Sequence, residues 1–294
     1  MLAVGGPPAH EVPVEQARAG HEAESRELSG PGEDVAEVRD VEITAPCGSV
    51  PLRVYRPKGT GPLPVVAYVH GGGWAIGSID SFDTVVRALA NASGAIVASV
   101  GYRLAPEHPF PCGLEDCLAA MRWLAAEAAA LGGDQERMAV AGDSAGGNLA
   151  TVAARRLRGE IDLRLQALVY PVCDAGVNTP SYREFGEGHG LTAASMQRFW
   201  NLYLDGADGL DPDASPLRAD DLAGCPPAFV LTAERDPLRD EGEAYAEALR
   251  RAGVLAQTSR YEGTIHGFWR WLAVTDAARR AVDEVGGALR AALA

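Results

Sequence analysis

The sequence predicts an α/β fold in which a mostly parallel central sheet is flanked by helices. Short apolar runs typical of buried strands alternate with longer stretches of helical periodicity over most of the 294 residues. Strands and helices that alternate at these lengths imply right-handed crossovers between parallel strands. A chain of this length with 47% hydrophobic residues can also bury a substantial core.

The predicted sheet begins with two β-rich segments and continues with buried strands. The first two segments, VAEVRDVEITAP and VPLRVYRP, alternate roughly and predict a hairpin or meander. The later strand segments are VVAYVH, AIVASVGYRL, RMAVAG, LQALVYPV, PAFVLTAE and AQTSRYEG. The predicted helices are SFDTVVRALANAS, GLEDCLAAMRWLAAEAAAL, AGGNLATVAARRLR, EGEAYAEALRRAG and DAARRAVDEVGGALRAALA.

Two segments depart from this alternation and predict a helical cap. Residues 1–40 are polar and helix-prone, and residues 184–224 contain the helical stretch LTAASMQRFWNLYL followed by acidic loops. We expect both segments to pack side by side over a core formed by residues 41–183 and 225–294. This arrangement would make residues 184–224 an insertion into an otherwise regular α/β chain.

The charge of the chain restricts its partners. With 26 basic and 40 acidic residues, the formal net charge is −14, so the sequence lacks the basic footprint of a nucleic-acid-binding protein. Anionic membrane surfaces should repel such a chain for the same Coulombic reason. No run approaches the roughly 20 apolar residues that span a bilayer. Neutral small molecules are the partners that this composition favours.

The five cysteines indicate a reducing compartment and no metal site. Their number is odd and low for this length, and Cys112 and Cys117 lie close together without the histidines or second cysteine pair of a zinc pattern. Reduced, buried thiols are therefore expected. The first residues, MLAVGGPPAHEV, lack the cationic segment of a signal peptide, so we expect a cytoplasmic protein.

A glycine-flanked serine follows the predicted strand RMAVAG. Gly142, Asp143, Ser144, Ala145 and Gly146 form a G-x-S-x-G pattern between a strand and a helix. Such a turn exposes a nucleophilic serine in a strained backbone conformation that costs about 1–3 kcal/mol, and the two glycines remove side chains that would collide. From the pentapeptide alone, a glycine-rich turn with a serine helix cap remains an alternative.

A glycine-rich loop, HGGGW, follows the strand VVAYVH. Three consecutive glycines, between His70 and Trp74, allow backbone N–H groups to approach one oxygen atom, as an oxyanion hole requires. A phosphate-binding loop is an alternative, but the Lys-Ser/Thr pair of that motif is missing. A merely flexible loop would not explain the flanking histidine and tryptophan.

The last two predicted strands supply an acid and a base. Asp236 precedes Pro237 and is therefore also a good helix cap, although a carboxylate can cap a helix and orient a histidine at once. Hydrolases of this layout run in the order serine, acid, histidine. Beyond Ser144 only His189 and His266 remain, and His189 precedes Asp236, so His266 is the candidate base.

In its motifs the sequence resembles the hormone-sensitive-lipase-like esterases of the α/β-hydrolase fold. The matching stretches are HGGGW, YRLAPEHPFP, GDSAGGNLA, DPLRDEG and HGF, in family order over about residues 35–290. The resemblance implies a serine carboxylesterase without a cofactor or metal, and a possible homodimer. It also implies specific roles: Ser144 as nucleophile, His266 as base, Asp236 as acid, and the amides of Gly72, Gly73 and Ala145 as oxyanion donors.

The resemblance leaves the substrate less defined than the reaction. It favours esters with short to medium acyl chains, and we expect an aromatic-rich pocket, although packing is an equally good interpretation for most of its candidate residues. The candidates are Trp74, Asp143, Met196, Phe199, Trp200, Leu202, Tyr203, Phe268 and Trp269. Amidase, lactonase or acyltransferase activity fits the same residues. A non-catalytic ligand receptor fits less well because His266 is present.

The YRLAPEHPFP loop is expected to act as a scaffold. Three prolines stiffen it, and pairing between Arg103 and Glu107 is the simplest account of its charges. Tyr102 is assigned the same supporting role.

Overall fold

An eight-stranded sheet organises residues 9–46 and 48–294, which the computed structural model describes. Residues 1–8 of the predicted cap and Cys47 lie outside the described residues. The strands are β1 (Glu37–Ala45), β2 (Gly48–Arg56), β3 (Leu63–Val69), β4 (Ile96–Val100), β5 (Gly133–Asp143), β6 (Leu163–Val169), β7 (Ala228–Arg235) and β8 (Ala256–Ile265). Their order across the sheet is β1-β2-β4-β3-β5-β6-β7-β8.

Most of the sheet is parallel, as predicted. β1 and β2 form the predicted antiparallel hairpin, and β2 joins the rest of the sheet antiparallel to β4. From β4 to β8 every neighbouring pair is parallel. Each predicted strand segment forms a strand. β8 is more exposed than the central strands because it lies at the edge of the sheet.

Helices cover both faces of the sheet. The described α-helices are α1 (Val14–Ser29), α2 (Ile79–Ser93), α3 (Cys112–Glu127), α4 (Ala145–Arg156), α5 (Pro180–Phe185), α6 (Ala193–Leu204), α7 (Arg239–Arg251) and α8 (Asp276–Ala292). Of these, α2, α3, α4, α7 and α8 pack on the sheet. Side chains alternate along a strand, so Val65, Ala67 and Val69 of β3 join the core that contains α3, α4 and α7. Val66 and Tyr68 face the other way and pack with α2 and α8. Burial on both faces explains the unbroken apolar runs of the central strands.

The parallel arrangement brings four chain segments to one edge of the sheet. β3, β5, β7 and β8 run in the same direction, so their carboxyl ends lie together. The residues that follow these ends are His70, Ser144, Asp236 and His266. The sequence motifs therefore meet at one place although up to 196 residues separate them along the 294-residue chain.

Helix α1 is fastened to two loops of the core by Arg18. Its Nε donates to the Ala75 carbonyl at 2.8 Å, and Nη2 donates to the Ala105 carbonyl at 3.0 Å. The same guanidinium forms a bidentate ion pair with the Glu107 carboxylate, with N–O distances of 2.8 and 2.7 Å. One side chain thus joins α1 to the glycine loop and to the proline-rich loop.

The expected pairing between Arg103 and Glu107 is wrong. Glu107 pairs with Arg18 from α1, and Arg103 pairs with the buried carboxylate of Asp116 in α3. The loop sequence showed both charges but could not show that α1 and α3 lie on either side of it.

The two predicted cap segments touch each other. Arg198 of α6 donates to the Ala9 carbonyl at 3.0 Å, and His10 Nδ1 lies 3.1 Å from Ser195 Oγ. Helix α5 crosses the predicted boundary between residues 183 and 184. Within the described part of the chain, no helix is both long and apolar enough to cross a bilayer.

We expect Glu107→Gln to lower the melting temperature slightly at pH 7, and less so in acid. Arg18 holds the pKa of Glu107 at about 2, below its ordinary 4.5. A depressed carboxyl pKa stabilises the fold above pH 4.5, and this contribution disappears as the pH falls towards 2. The contribution is small because the pair is largely exposed.

The measurement is the melting temperature of both proteins between pH 7 and pH 3, with Glu127→Gln as a control on an exposed glutamate. A difference that stays constant with pH would contradict the role of the Arg18–Glu107 pair.

Candidate active site

Ser144 occupies a sharp turn between β5 and α4. Its backbone angles, φ 54° and ψ −121°, lie in a region that side-chain-bearing residues rarely adopt. The turn is held by its neighbours, because the Ser144 amide donates to the Val169 carbonyl at 2.9 Å and its carbonyl accepts from Asn148 at 3.0 Å. The strain is therefore compensated by strand β6 and the first turn of α4.

The two glycines of the turn are required for space. A Cβ on Gly146 would lie 2.0 Å from the Val69 carbonyl oxygen, and one on Gly142 would lie 2.4 Å from the Gly146 carbonyl oxygen. Both distances are far below van der Waals contact, and the opposing atoms are backbone. The pattern G-x-S-x-G is thus explained by close packing of β3, β5 and α4.

Ser144, His266 and Asp236 form a hydrogen-bonded chain. His266 Nε2 lies 2.9 Å from Ser144 Oγ, and His266 Nδ1 lies 2.7 Å from Asp236 Oδ2. Asp236 is completely buried, and its second oxygen, Oδ1, accepts from the Leu238 amide at 2.9 Å. The carboxylate therefore stabilises the turn before α7 and contacts the histidine at the same time. The expectation that Asp236 caps the helix is wrong, because Leu238 occupies the N-cap position of α7 and the Asp236 bond closes the turn that precedes it.

The glycine loop lies against the serine turn. Gly72 and Gly73 line the same cavity as Ser144, and the amide of Ala145 is the first of α4, where N–H groups have no partner within the helix. A Cβ on Gly73 would lie 2.3 Å from the Phe199 ring. Glycine at this position therefore lets α6 approach the backbone of the loop.

Asp143 connects the serine turn to the glycine loop. Its Oδ1 accepts from the Gly71 amide at 2.9 Å and from the Tyr68 hydroxyl at 2.7 Å. Trp269 Nε1 in turn donates to the Tyr68 oxygen at 3.0 Å. The chain of bonds joins the segments that carry the glycines, Ser144 and His266.

Burial has the largest effect on the pKa of the Asp143 carboxyl group. It raises the pKa of this carboxyl to about 6, although the Tyr68 hydrogen bond, the Arg270 charge and the Gly71 amide all favour the ionised form. The carboxylate is thus ionised at neutral pH but carries a desolvation cost.

His70 supports the loop from behind. Its Nδ1 lies 2.8 Å from the Gly71 carbonyl, and its ring stacks on Tyr102 at 4.5 Å. Burial lowers the pKa of His70 to about 4, so the ring stays neutral. The Tyr102 hydroxyl donates to the His70 carbonyl at 2.9 Å, which gives Tyr102 a supporting role.

A small cavity of about 110 Å³ opens beside Ser144 and His266. Residues from the two predicted cap segments and from the core line it together. The lining comprises His21, Gly72, Gly73, Ile76, Phe82, Asp143, Ser144, Leu191, Met196, Phe199, His266, Gly267 and Arg270. Its lining is largely apolar, since it includes the side chains of Ile76, Phe82, Leu191, Met196 and Phe199.

Several aromatic residues that were candidates for the pocket lie elsewhere. Trp74, Trp200 and Tyr203 are almost completely buried and pack on one another, with Trp74 and Tyr203 stacked at 4.3 Å. Phe268 packs between Tyr170 and Tyr261. Among the described lining residues, Phe199, Met196 and Asp143 are the candidates that face the cavity. The remaining aromatic candidates are buried in the core, and Leu202 is half-buried against it.

The cavity also contains residues that sequence reasoning missed. His21, Ile76, Phe82, Leu191 and Arg270 come from five separate segments and match no catalytic motif. Tyr170 was missed as well, and its ring lies 4.4 Å from the His266 ring. Its place directly after strand β6 was the available signal, because the carboxyl ends of neighbouring parallel strands meet at the site.

No group of three or more histidine, cysteine or carboxylate side chains arranged to hold a metal occurs in residues 9–46 and 48–294. The polar side chains that line the cavity are the Ser144 hydroxyl, the His266 and His21 imidazoles, the Asp143 carboxylate and the Arg270 guanidinium.

Comparison with known proteins assigns the family. Residues 66–270 match the model of a family described by the α/β-hydrolase fold. The chain is 40% identical to the ethyl acetate hydrolase of Pseudomonas putida, covering 96% of this chain and 92% of that protein. It is 43% identical to the carboxylesterase NlhH of Mycobacterium tuberculosis, and the match covers 95% of this chain and 90% of NlhH.

Solved structures agree with this assignment. EstE1, a thermophilic carboxylesterase cloned from a metagenomic library, superposes with a TM-score of 0.94 at 45% identity, covering 97% of this chain and 99% of EstE1. An esterase of Pyrobaculum calidifontis superposes with a TM-score of 0.91 at 43% identity, and the match covers 97% of this chain and 95% of that esterase. The chain therefore belongs to the α/β-hydrolase fold family, among its hormone-sensitive-lipase-like carboxylesterases.

Proposed function

We propose that this protein is a serine carboxylesterase that hydrolyses short- to medium-chain acyl esters through Ser144, His266 and Asp236. The observation that carries the proposal is the hydrogen-bonded chain of these side chains, at 2.9 and 2.7 Å, beside a cavity. An ethyl acetate hydrolase at 40% identity and a carboxylesterase at 43% identity, each matched over nearly the whole chain, support the same reaction class.

The first half of the reaction forms an acyl-enzyme. Ser144 Oγ attacks the ester carbonyl carbon while His266 Nε2 takes the hydroxyl proton. Asp236 accepts the Nδ1–H hydrogen bond, fixes the tautomer and stabilises the imidazolium that forms. The tetrahedral intermediate places its negative oxygen on the amides of Gly72, Gly73 and Ala145. His266 then gives its proton to the leaving alcohol, and the ester C–O bond breaks.

The second half of the reaction returns the free enzyme. Water replaces the alcohol, His266 takes one of its protons, and the resulting hydroxide attacks the acyl carbonyl. Collapse of this second intermediate releases the carboxylic acid and restores the Ser144 hydroxyl. No step needs a metal or cofactor.

The size of the cavity supports small substrates. A volume of about 110 Å³ is well below the roughly 300–1,000 Å³ of pockets that enclose drug-sized ligands. The apolar side chains of Ile76, Met196 and Phe199 suit an alkyl acyl group. Amide, lactone and acyl-transfer reactions use the same groups and are the alternatives.

The proposal includes the cap, the partner class and the compartment. Residues 9–40, the described part of the N-terminal segment, and residues 184–224 form the proposed cap, and His21, Leu191 and Phe199 from these segments line the cavity. The net charge of −14 favours an uncharged small molecule over nucleic acid or an anionic membrane. Free thiols at Cys112, Cys117, Cys173 and Cys225 suit the cytoplasm.

Ser144→Ala should abolish ester hydrolysis, with a loss of at least about 10⁴-fold in kcat, because no other nucleophile replaces the hydroxyl. The measurement is hydrolysis of nitrophenyl esters from acetate to palmitate by both proteins. We expect the activity of the wild type to peak at short or medium chains.

A second measurement locates the nucleophile directly. A 4-nitrophenyl phosphonate ester should phosphonylate Ser144 in the wild type with release of 4-nitrophenol, so that the Ser144 peptide gains the mass of the phosphonyl group, and should leave Ser144→Ala unlabelled. Labelling of another residue, or full activity in the variant, would overturn the proposed mechanism.

Asp236→Asn should lower kcat by up to about 10⁴-fold, because the asparagine favours the wrong histidine tautomer. Asp240→Asn is the matched control, since the Asp240 carboxylate binds the Ser181 amide and Arg239. Steady-state kinetics on one nitrophenyl ester compare the two. Unchanged activity in Asp236→Asn together with a large loss in Asp240→Asn would reassign the acid.

Asp143→Asn should change how stability depends on pH. The folded pKa of Asp143, about 6, lies above its ordinary 3.8, so the native state binds the proton more tightly and wild-type stability falls as the pH rises through this window. Relative to that of the variant, the free energy of unfolding of the wild type should fall by up to roughly 3 kcal/mol between pH 4 and pH 6. Urea unfolding of both proteins at several pH values measures the difference.

Tyr68→Phe is the informative control for this experiment. It removes one hydrogen bond to the Asp143 carboxylate, so the pKa of Asp143 should rise and stability should fall at a higher pH than in the wild type. If the free energy of unfolding varied with pH in the same way in the wild type and in Asp143→Asn, Asp143 would not cause the pH dependence of stability.

A further inference from the structure

Two polar side chains in the cavity wall have no part in the hydrolysis mechanism. His21 comes from α1, and Arg270 lies four residues after His266, in a 3₁₀ turn. Both line the cavity with Ser144. A purely apolar acyl group would leave these polar groups facing it without a partner, which costs binding free energy.

Arg270 has hydrogen-bond donors to spare. It is only 7% exposed, and Nη1 donates to Ser25 Oγ at 2.5 Å. Nη2 lies 3.8 Å from Glu24 Oε1, which is beyond hydrogen-bond distance, and the guanidinium sits over the Phe82 ring at 5.4 Å. A guanidinium carries five N–H donors. Within the described residues, the bond to Ser25 is the one hydrogen bond that the Arg270 side chain makes.

His21 presents a second unpaired polar atom. Its ring stacks on Phe82 with a centroid distance of 5.9 Å, and Nδ1 is buried without a hydrogen-bond partner among the described residues. Burial, with a contribution from the nearby charge of Arg270, lowers the pKa of His21 well below 6.5. The ring is therefore neutral and offers one N–H donor and one acceptor.

The charges around the cavity favour an uncharged ligand group. Asp143 and Asp236 supply carboxylates at the site, and Glu24 already faces Arg270. A substrate carboxylate would have to enter this acidic surrounding in a chain of net charge −14. A neutral oxygen acceptor takes a hydrogen bond from Arg270 without that repulsion.

We propose that His21 and Arg270 form a subsite for a second, uncharged carbonyl oxygen of the substrate. The preferred substrates are then esters that carry a keto group or a second ester group two or three methylene groups from the scissile one, rather than simple alkanoate esters. This inference rests on the proposed esterase function and names the substrate class of that same cavity.

The test uses pairs of methyl esters of similar size. Methyl 4-oxopentanoate and methyl 4-methylpentanoate differ by one oxygen in place of one methyl group, and methyl 5-oxohexanoate and methyl 5-methylhexanoate repeat the pair one carbon further. The ratio of kcat/KM within each pair, divided by the ratio of alkaline hydrolysis rates, removes differences in intrinsic reactivity. We expect the wild type to prefer one of the two oxo esters by about tenfold or more.

Two variants test the role of each side chain. Arg270→Met should reduce that preference to near unity, and His21→Phe, which keeps the aromatic ring against Phe82, should reduce it in part. Ser25→Ala is the matched control, because it removes the same hydrogen bond between α1 and Arg270 but keeps the guanidinium. The control should retain the preference. Melting temperatures of all three variants establish that they are folded.

The outcomes separate this inference from the proposed function. The subsite would be overturned if the wild type and Arg270→Met showed the same preference for the oxo ester. It would also be overturned if Ser25→Ala lost that preference as completely as Arg270→Met. In both cases ester hydrolysis itself would continue. A stronger preference for monomethyl succinate than for methyl 4-oxopentanoate would overturn the choice of an uncharged group. Failure of the proposed function itself would appear as hydrolysis that persists in Ser144→Ala.

Discussion

The close approach of three backbones around Ser144 is the constraint on which the site depends. β3, β5 and α4 meet so tightly that a single Cβ on Gly146 would lie 2.0 Å from the Val69 carbonyl oxygen. That contact places the glycine loop after β3 beside the serine after β5. A serine with positive φ is held there because Val169 and Asn148 bond its backbone. The strained turn and the proximity of the loop thus have one common cause.

Asp143 transmits this arrangement to the rest of the site. Its carboxylate accepts from Gly71 and Tyr68, and Tyr68 accepts from Trp269, so one buried acid connects the glycine loop with the turn that follows His266. Burial makes the ionised form costly, as the raised pKa of about 6 shows. The hydrogen bonds offset that cost, and the bonds gain strength from the same low-dielectric surroundings.

The N-terminal helix is part of the site rather than an appendage. Arg18 fastens α1 to the glycine loop and to Glu107, and the same helix carries His21 into the cavity. Glu24 and Ser25, one turn further along, contact Arg270. The position of α1 therefore couples the glycine loop to the polar wall of the cavity.

By itself the sequence determined the parallel sheet, the four motif segments at its strand ends, and the order of the strands and of the described α-helices other than α5. It did so because periodicity, glycine spacing and chain order are local properties. Only the tertiary structure decided which side chains face the cavity. The predicted aromatic residues Trp74, Trp200 and Tyr203 pack on one another, and Glu107 pairs with Arg18 rather than Arg103. His21 and Arg270 meet at the cavity through contacts between segments far apart in the chain, and no local pattern encodes such contacts.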